Sequence, residues 1–343
     1  MKIEVFSPTI RRKEMDAVLS ALVDDALGPG ELSLKLIAVA KEYINFEYGV
    51  SFRSPTFALF YALKALNIAN NEGVLISALS PYYYIQVLKD ASLTPIIADV
   101  DEHSGNITKA TISKALQEAS VPVRCIINHH TLGYVPNTAD LTEFGIPIIE
   151  DISRSYGTNT GELKAGALGT LTLLGLEERD VLTAGGGAIL YANSRREAAV
   201  LKQFAELPPE YQLPDMNAAM AIVQFKEHEK NFARRKEIAE VLLQASLRTR
   251  HKRFLQLDIA EYNNYSFPLI LQTGMKDVVA YGNKKEVAVE TAFNDTIIVK
   301  LPEYQSSCPT AYSLSLRTVL FPLYPRLSGK QIEKIAKVLA TLP

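Results

Sequence analysis

The sequence predicts an α/β fold built on a mostly parallel sheet with helices on its faces. Short, continuous apolar runs alternate with segments of helical periodicity through the first half of the chain. Such runs are typical of strands buried on both faces of a parallel sheet, and the alternation is typical of βαβ units. Beyond about residue 262 the pattern changes to isolated strand-like runs and a final helix. We therefore expect a large domain over residues 1–230 and a small α+β domain over residues 231–343.

The elements can be placed in order from periodicity and from breaking residues. Helices are predicted over residues 11–25, 31–48, 54–66, 83–91, 107–119 and 140–144, and strands over residues 73–77, 94–99, 123–128 and 146–150. The glycines at 185–187 predict the turn of a β-hairpin over residues 171–191. Residues 216–247 predict one long helix or a broken pair of helices. Strands over 265–271 and 296–301 and a helix over 329–342 complete the chain.

Composition excludes several classes of function. The chain has 343 residues, 48% of them hydrophobic, and a net charge of -2, so no basic field attracts nucleic acid. No apolar run is long enough for a membrane span or a signal peptide, and we expect a cytoplasmic protein. Cys125 and Cys308 lie far apart among apolar neighbours, which favours two buried free thiols over a disulfide.

Candidate functional residues follow the predicted strands, because ligands of parallel sheets lie at the carboxyl ends of the strands. Asp151 ends one strand, where its carboxylate either holds a protonated ring nitrogen or caps a following helix. His129 and His130 follow another strand and point to opposite faces, so we expect one packed and one exposed ring rather than a metal site.

Two further segments have both a functional and a structural interpretation. Ser54 and Pro55 suit the cap and the first position of a helix, whose free amides can alternatively bind phosphate. Proline removes one of those amide donors, so plain capping is favoured. The tyrosines at 82–84 favour core or interface packing, with stacking on a planar ligand as the alternative.

The order and spacing of several segments resemble the DegT/DnrJ/StrS family of sugar-nucleotide aminotransferases. The segments are RSPTFALFYALKAL, TPIIADVDEHSGNIT, HHTLGYVPNTADL, GIPIIEDISRSYGT, PDMNAAMAIVQFKEHEKNFARRKEIAEVLL and SLRTVLFPLYPRLSGKQIEKIAKVL. The resemblance implies fold type I of the pyridoxal-phosphate (PLP) enzymes, with a seven-stranded type of sheet in the large domain. It also implies a homodimer with sites at the interface, and transfer of an amino group to a keto-sugar nucleotide.

The resemblance also assigns roles to individual positions, and most of them depart from the family pattern. Asp151 matches the aspartate that pairs with the pyridine nitrogen of the cofactor, and Thr56 matches a phosphate-side threonine. The departures are Arg179 at the lysine, Leu174 at a phosphate-binding serine, Pro55 at a glycine, Gly185 at the acid of a glycine-rich turn, Arg154 at a glutamine or histidine, Glu210 at the asparagine that crosses from the partner subunit, Gln212 at an arginine, and Pro81 or Tyr82 at the stacking aromatic.

Arginine at the lysine position removes the chemistry that the family requires. Its guanidinium group stays protonated, so Arg179 forms no Schiff base and moves no proton as a base. Lys164 and Lys202 bracket a stretch without lysine, so a shift of register does not supply one. The changes at Arg179, Leu174, Pro55 and Glu210 together indicate a relaxed demand for PLP.

Three hypotheses follow from these departures. The first is a non-catalytic relative that keeps the dimer and serves as a binding or partner subunit, with a sugar nucleotide or an active aminotransferase chain as its partner. The second is an enzyme that holds PLP or PMP without a covalent link, as dehydratases of the family do, with Glu178, Arg179 or His130 moving protons. The third is a different chemistry in which Arg154 and Arg179 bind an anionic substrate.

Overall fold

A computed structural model describes residues 2–204, 206–257, 260–272 and 274–343. The helices are α1 (Arg12–Val23), α2 (Glu31–Tyr43), α3 (Pro55–Ala65), α4 (Tyr83–Asp90), α5 (Lys109–Glu118), α6 (Thr138–Thr142), α7 (Arg195–Leu201), α8 (Asp215–Ser246), α9 (Met275–Lys284), α10 (Ile297–Lys300), α11 (Pro309–Arg317) and α12 (Gly329–Leu339). Single 3-10 turns lie at Thr131–Gly133, Lys202–Phe204 and Pro302–Tyr304.

The strands are β1 (Tyr48–Phe52), β2 (Gly73–Ser77), β3 (Thr94–Ala98), β4 (Val123–His129), β5 (Ile148–Asp151), β6 (Asn159–Thr160), β7 (Leu163–Lys164), β8 (Leu171–Gly175), β9 (Ala188–Ala192), β10 (Ala260–Glu261), β11 (Phe267–Ile270), β12 (Glu290–Thr291) and β13 (Thr318–Phe321). Seven of them form the main sheet in the order β1-β9-β8-β5-β4-β2-β3. Its central pairs are parallel, and β9 pairs antiparallel with both β1 and β8. The predicted α/β class with a mostly parallel sheet is confirmed.

The main sheet is buried on both faces. All residues of β2, β5, β8 and β9 are buried, as the continuous apolar runs predict. On one face Leu59 and Leu63 of α3 pack with Leu173 of β8, and on the other Leu36 of α2 and Phe225 of α8 pack with Leu174 of β8. The sheet is therefore a rigid central layer whose strand ends position the residues of the candidate site.

A second, three-stranded sheet of order β11-β13-β12 is formed by the C-terminal part of the chain. It packs against α12 and against Ile238 and Leu242 in the second half of α8. Helix α8 is continuous over 32 residues, so the single-helix interpretation of residues 216–247 is confirmed. The same helix crosses the predicted boundary between residues 230 and 231 without a break, and the division into domains at that point stays a prediction.

Two predicted elements differ in the structure. The predicted helix 31–48 ends at Tyr43, and the residues after it enter β1, an antiparallel edge strand that periodicity did not reveal. The predicted strand 296–301 is wrong, because Ile297–Lys300 forms one helical turn. Its first amides donate to the carbonyls of Ser80 and Ala78 in the turn after β2, which buries both isoleucines without a neighbouring strand.

Several smaller predictions can be compared directly. The hairpin of β8 and β9 is confirmed, and the three glycines before β9 all have positive φ. Cys125 and Cys308 are buried free thiols, as expected. Across the residues that the structure describes, no helix is long and apolar enough to cross a membrane.

Candidate cofactor and ligand site

The candidate site lies at the carboxyl ends of β4 and β5. His129 ends β4 and is paired in register with Asp151, which ends β5. Helix α4, which follows the turn after β2, brings Tyr84 over the same point. The strand-end rule therefore locates the site, although the residues that complete it come from other segments.

The carboxylate of Asp151 accepts three hydrogen bonds from other groups of the chain. The hydroxyl of Tyr84 donates to Oδ2, while the backbone N–H of Ser153, at 2.9 Å, and its hydroxyl donate to Oδ1. Asp151 is 3% exposed and Tyr84 is fully buried. Burial raises the pKa of the Asp151 carboxyl, but contacts from His129, Ser153 and Tyr84 lower it by more and hold it well below its usual range. The group is therefore a charged, satisfied acceptor.

The alternative role of Asp151 as a helix cap is wrong. Residues 153–157 form consecutive turns rather than an α-helix. The side chain accepts from the N–H two residues further on, which is the geometry by which aspartate stabilises a turn. Ser153 then accepts a bond from the N–H of Gly175 at 2.8 Å, so the turn is attached to the end of β8.

Both histidines are buried, so the expectation of one exposed ring is wrong. They do have different partners: His129 lies 3.7 Å from Asp151, and His130 contacts the hydroxyl of Ser155 at 2.6 Å and Glu150 at 3.5 Å. The strand end is covered on both faces, which is why neither ring reaches solvent. Burial lowers the pKa of His129, and the adjacent carboxylate of Asp151 raises it by less. In the described parts of the chain, no three histidine, cysteine or acidic residues group as metal ligands would.

Glu150 has a structural role on the other side of the strand. Its carboxylate accepts from the N–H groups of Leu168 and Gly169 and from the hydroxyl of Thr138. These bonds fix the loop before β8 and the start of α6. Of the two adjacent carboxylates that end β5, only Asp151 faces the candidate site.

Arg179, at the position that the resemblance gives to the lysine, points away from Asp151. Its guanidinium group forms a two-fold contact with Glu290 of β12, at 2.9 and 3.4 Å, and lies over the ring of Phe6. The side chain is about half exposed. Hydrogen bonding to Glu290 raises its pKa, so its charge serves a link to the C-terminal sheet.

The neighbouring Asp180 points inward, a feature that the sequence did not reveal. Its carboxylate accepts from the N–H of Glu177 at 2.9 Å and lies against Gly175, where an added Cβ would come within 2.3 Å of Oδ2. Gly175 is thus required by the close approach of this side chain. Burial raises the pKa of Asp180 to about 8, with Asp151 and Glu177 as further, smaller causes in the same direction.

Arg154 lies between these acids and Tyr265. Its guanidinium carbon is 5.8 Å from the centre of the Tyr265 ring. Burial lowers the pKa of the guanidinium group, but Tyr265, Asp180, Asp151 and Tyr84 together raise it by more. Within the described part of the chain it forms no ion pair, and none of its nitrogens is both fully enclosed and unbonded. Tyr265 is held in place because its hydroxyl donates to the carbonyl of Arg179 at 2.6 Å.

Among the described residues, none of the remaining predicted positions hydrogen-bonds to the carboxylate of Asp151. Ser54 caps α3 by accepting from the N–H of Phe57, and Pro55 is the first helical residue, as the capping interpretation predicts. Thr56 is half-buried in the first turn of that helix, Leu174 is a core residue, Glu210 is exposed in the loop before α8, Gln212 donates to the carbonyl of Leu207, and Gly185 lies in the turn before β9 with φ of 70°.

The tyrosine run divides between surface and core. Tyr82 is 38% exposed, and Pro81 before it bridges to Thr296. Tyr83 and Tyr84 contact each other edge-on, with ring centres 4.9 Å apart. Core packing is therefore confirmed for Tyr84, although its hydroxyl also reaches Asp151. The sequence identified the tyrosines at 82–84 as candidates but did not show that Tyr84 is the one that contacts Asp151.

A cleft of about 400 Å³ lies beside the site rather than in it. It is bounded by Phe232 and Lys236 of α8 and by the segment that carries Arg253, Tyr262 and Tyr265. Asp151 and Arg154 do not line it. Tyr265 is the residue common to both features.

Comparisons with known proteins identify the family and the fold. A sequence profile described as the DegT/DnrJ/EryC1/StrS aminotransferase family matches residues 8–340. The chain belongs to this family. GDP-perosamine synthase of Escherichia coli O157:H7 is 21% identical over 354 aligned positions, covering 96% of this chain and 95% of that protein.

Solved structures of the family have the same fold. The PLP-form of the putative sugar aminotransferase Spr1654 from Streptococcus pneumoniae superimposes with a TM-score of 0.90 at 16% identity, covering 99% of this chain and 98% of that one. The Escherichia coli GDP-4-keto-6-deoxy-D-mannose-3-dehydratase with bound hydrated PLP gives 0.85 at 17% identity, covering 99% of both chains. The fold is therefore PLP-transferase fold type I.

Proposed function

We propose that this member of the DegT/DnrJ/EryC1/StrS family does not transaminate and serves sugar-nucleotide or polysaccharide biosynthesis as a non-catalytic binding or partner subunit. The link to sugar nucleotides is supported by relatives such as GDP-perosamine synthase. The absence of catalysis is supported above all by the engagement of Asp151 with Tyr84 and Ser153. The remaining support comes from the lysine position and from the phosphate side.

The residues at Asp151 do not fit PLP. A pyridinium nitrogen that paired with this carboxylate would compete at Oδ2 with the hydroxyl of Tyr84, whose fully buried side chain packs against Tyr83 with its ring centre 6.2 Å from that of His129. Ser153 already satisfies the other carboxylate oxygen. Removing a donor from a buried carboxylate is unfavourable unless its replacement binds at least as well.

The lysine position gives independent support. Arg179 keeps its proton and is a poor nucleophile, and its side chain is directed to Glu290 on the C-terminal sheet. The bracketing lysines are engaged elsewhere: Lys164 donates to the carbonyl of Tyr43, and Lys202 lies over the ring of Tyr48. None of these groups contacts Asp151.

The phosphate side has lost its donors as well. Pro55 has no N–H, the N–H of Phe57 is bound by Ser54, and Leu174 is an apolar core residue. The first turn of α3 is left with the amide and the hydroxyl of Thr56, which bind a dianion less strongly than a full set of free helix amides would. Glu210, exposed near this end of the sheet, carries the wrong charge for a phosphate.

The proposed partner is a second copy of the chain or an active aminotransferase of the same family. Helix α1 presents Met15, Leu19 and Val23, all more than half exposed, on the face turned away from α8. Apolar side chains spaced four residues apart on one exposed helix face favour an interface with another subunit. This surface is independent of the cofactor question.

The deciding experiment is a PLP titration of the purified chain, followed by absorbance and by mass spectrometry after borohydride reduction. We expect no bound PLP and no reduced adduct. A stoichiometric adduct on one particular lysine of the wild-type chain would contradict the proposal. Tight binding without an adduct would instead favour an enzyme that holds PLP or PMP non-covalently.

The Arg179→Lys variant sharpens this test because it returns an amine to the family position. We expect it to form no reducible adduct, because the hydroxyl of Tyr84 still donates to the carboxylate of Asp151 and residue 179 faces Glu290. The matched control is Arg179→Lys combined with Tyr84→Ala, which removes the obstruction as well. An adduct with Arg179→Lys alone would show that the site accepts PLP and that only the lysine was lost.

A further inference from the structure

We propose that Arg154, which lies over Tyr265 and is bordered by Tyr83 and Asp180, binds the carboxylate group of a small organic acid. The inference goes beyond the proposed function, because it needs neither PLP nor a partner subunit. It concerns the inner end of the site, beside the Tyr84–Asp151 contact. Arg179 takes no part, because Glu290 binds it.

The first step is the state of Arg154. Its side chain is half-buried, lies over Tyr265 and, within the described residues, donates to no protein acceptor. None of its nitrogens is both buried and without a hydrogen-bond partner, so its N–H groups that lack a partner are accessible to solvent. A guanidinium group in this state presents a planar fork of donors that matches a carboxylate.

The second step is the nature of the surrounding groups. Tyr83 and Tyr265 are both raised in pKa, first by burial, so their hydroxyls stay protonated. Asp151 keeps its negative charge because its pKa is held low. The negative charge of Asp151 near the guanidinium group repels a monoanion less than a dianion. A carboxylate is therefore favoured over a phosphate as the ligand.

The third step is Asp180, which makes binding depend on pH. The groups that act on it are Arg154, Asp151 and Glu177, and it acts in turn on Tyr83 and Tyr265. With a pKa of about 8, Asp180 is neutral below that pH and adds a second negative charge above it. Binding of a carboxylate should therefore weaken as the pH rises through this value.

The test is a 19F NMR titration of the full chain with difluoroacetate, which stays a monoanion throughout the range used. We expect affinity to fall about tenfold between pH ~6.5 and pH ~9, in proportion to the ionised fraction of Asp180. At pH ~9, where inorganic phosphate is a dianion, it should bind at least about tenfold more weakly than difluoroacetate. No binding of difluoroacetate, or tighter binding of phosphate, would overturn the assignment.

Two variants separate the roles of the residues. Arg154→Gln introduces a residue type that the family resemblance places here, and it should abolish binding while circular dichroism shows a folded chain. Asp180→Asn should keep binding and lose its pH dependence, because the amide carries no charge. Retained binding in Arg154→Gln, or an unchanged pH dependence in Asp180→Asn, would contradict the proposal. Neither result bears on the PLP titration, so the two proposals can fail separately.

Discussion

At the scale of single residues, one hydroxyl group determines what Asp151 can do. A carboxylate at the end of a parallel strand is well placed to hold a ligand, and sequence reasoning selected it for that reason. Tyr84 reaches the same oxygen first, from the helix that follows β2. The charged carboxylate becomes a fixed part of the protein interior rather than an open acceptor.

Replacing Tyr84 by phenylalanine measures this contact. The ring is kept and the hydroxyl is lost, so the buried carboxylate loses one donor; we expect the free energy of unfolding in urea to fall by about 1–3 kcal/mol at neutral pH. Tyr82→Phe is the matched control, because Tyr82 is partly exposed and its hydroxyl has no bond to Asp151. An equal effect in both variants would argue against a special role for Tyr84.

The sign of the pH dependence of this effect follows from the pKa of Asp151. Its folded-state pKa is held below the usual range, so the stabilisation is present above the unfolded value and is lost as the pH falls through the folded value. The difference between wild type and Tyr84→Phe should therefore shrink in acid, below about pH 4. A difference that grew in acid would contradict the assignment of a charged Asp151.

The direction of individual side chains is what the sequence could not supply at this scale. Arg179 and Asp180 are adjacent, yet the first turns out to Glu290 and the second turns in against Gly175. Both are ordinary charged residues in a polar stretch, and periodicity does not distinguish them. The inward carboxylate is recognisable only from the close approach that excludes any side chain larger than hydrogen at position 175.

At the scale of elements, the start of α2 is completed by a residue that lies far away in sequence. Gly30 is the N-cap and has no side chain to accept from the first amides. Asp215, at the start of α8, accepts instead from the N–H groups of Gly30, Leu32 and Ser33 at 2.8–3.1 Å. A Cβ at position 30 would come within 2.7 Å of this carboxylate, so glycine is required there.

Asp215→Ala should therefore destabilise the chain through α2. Three amides, of which that of Ser33 is buried, lose a charged acceptor, and we expect the free energy of unfolding to fall by about 2–3 kcal/mol. The matched control is Glu42→Ala, which removes an exposed acid from the last turn of the same helix and should change stability by less than about 0.5 kcal/mol. Urea denaturation followed by circular dichroism measures both. Equal losses would mean that the distant cap contributes little.

Elements with a long, regular pattern were predictable, and short ones were not. The cap and first residue of α3 and the bounds of α8, to within one residue, follow from local sequence, which left open whether α8 is one helix or a broken pair. The turn of α10 does not, because its apolar residues are buried by docking onto the loop after β2 rather than by periodicity. Tertiary contacts decide such short segments, whatever their local preference.

At the scale of the whole molecule, the exposed face of α1 is unexplained by the chain alone. The inner face is fixed to α8, where Gln224 donates to Glu14 and Lys13 pairs with Glu227. The outer face carries Met15 at 56%, Leu19 at 58% and Val23 at 74% exposure. The family resemblance implies a dimer, and this stripe is a suitable surface for one.

Leu19→Glu tests whether this stripe joins two copies of the chain. A charge at the centre of an apolar contact loses hydration on association, so we expect the dimer to dissociate at least about tenfold more readily. Sedimentation velocity over a series of concentrations measures the change. Leu247→Glu, at a residue 66% exposed after the end of α8, is the matched control and should leave the assembly unchanged.

The outcome also separates the two kinds of partner. A wild-type dimer that Leu19→Glu converts to a monomer means that a second copy covers the stripe. A wild-type chain that is monomeric at every concentration leaves the stripe for a different subunit, and an active aminotransferase of the same fold then becomes the partner to test. A dimer unaffected by Leu19→Glu would exclude α1 from the interface, because a buried charge at that position cannot be without effect.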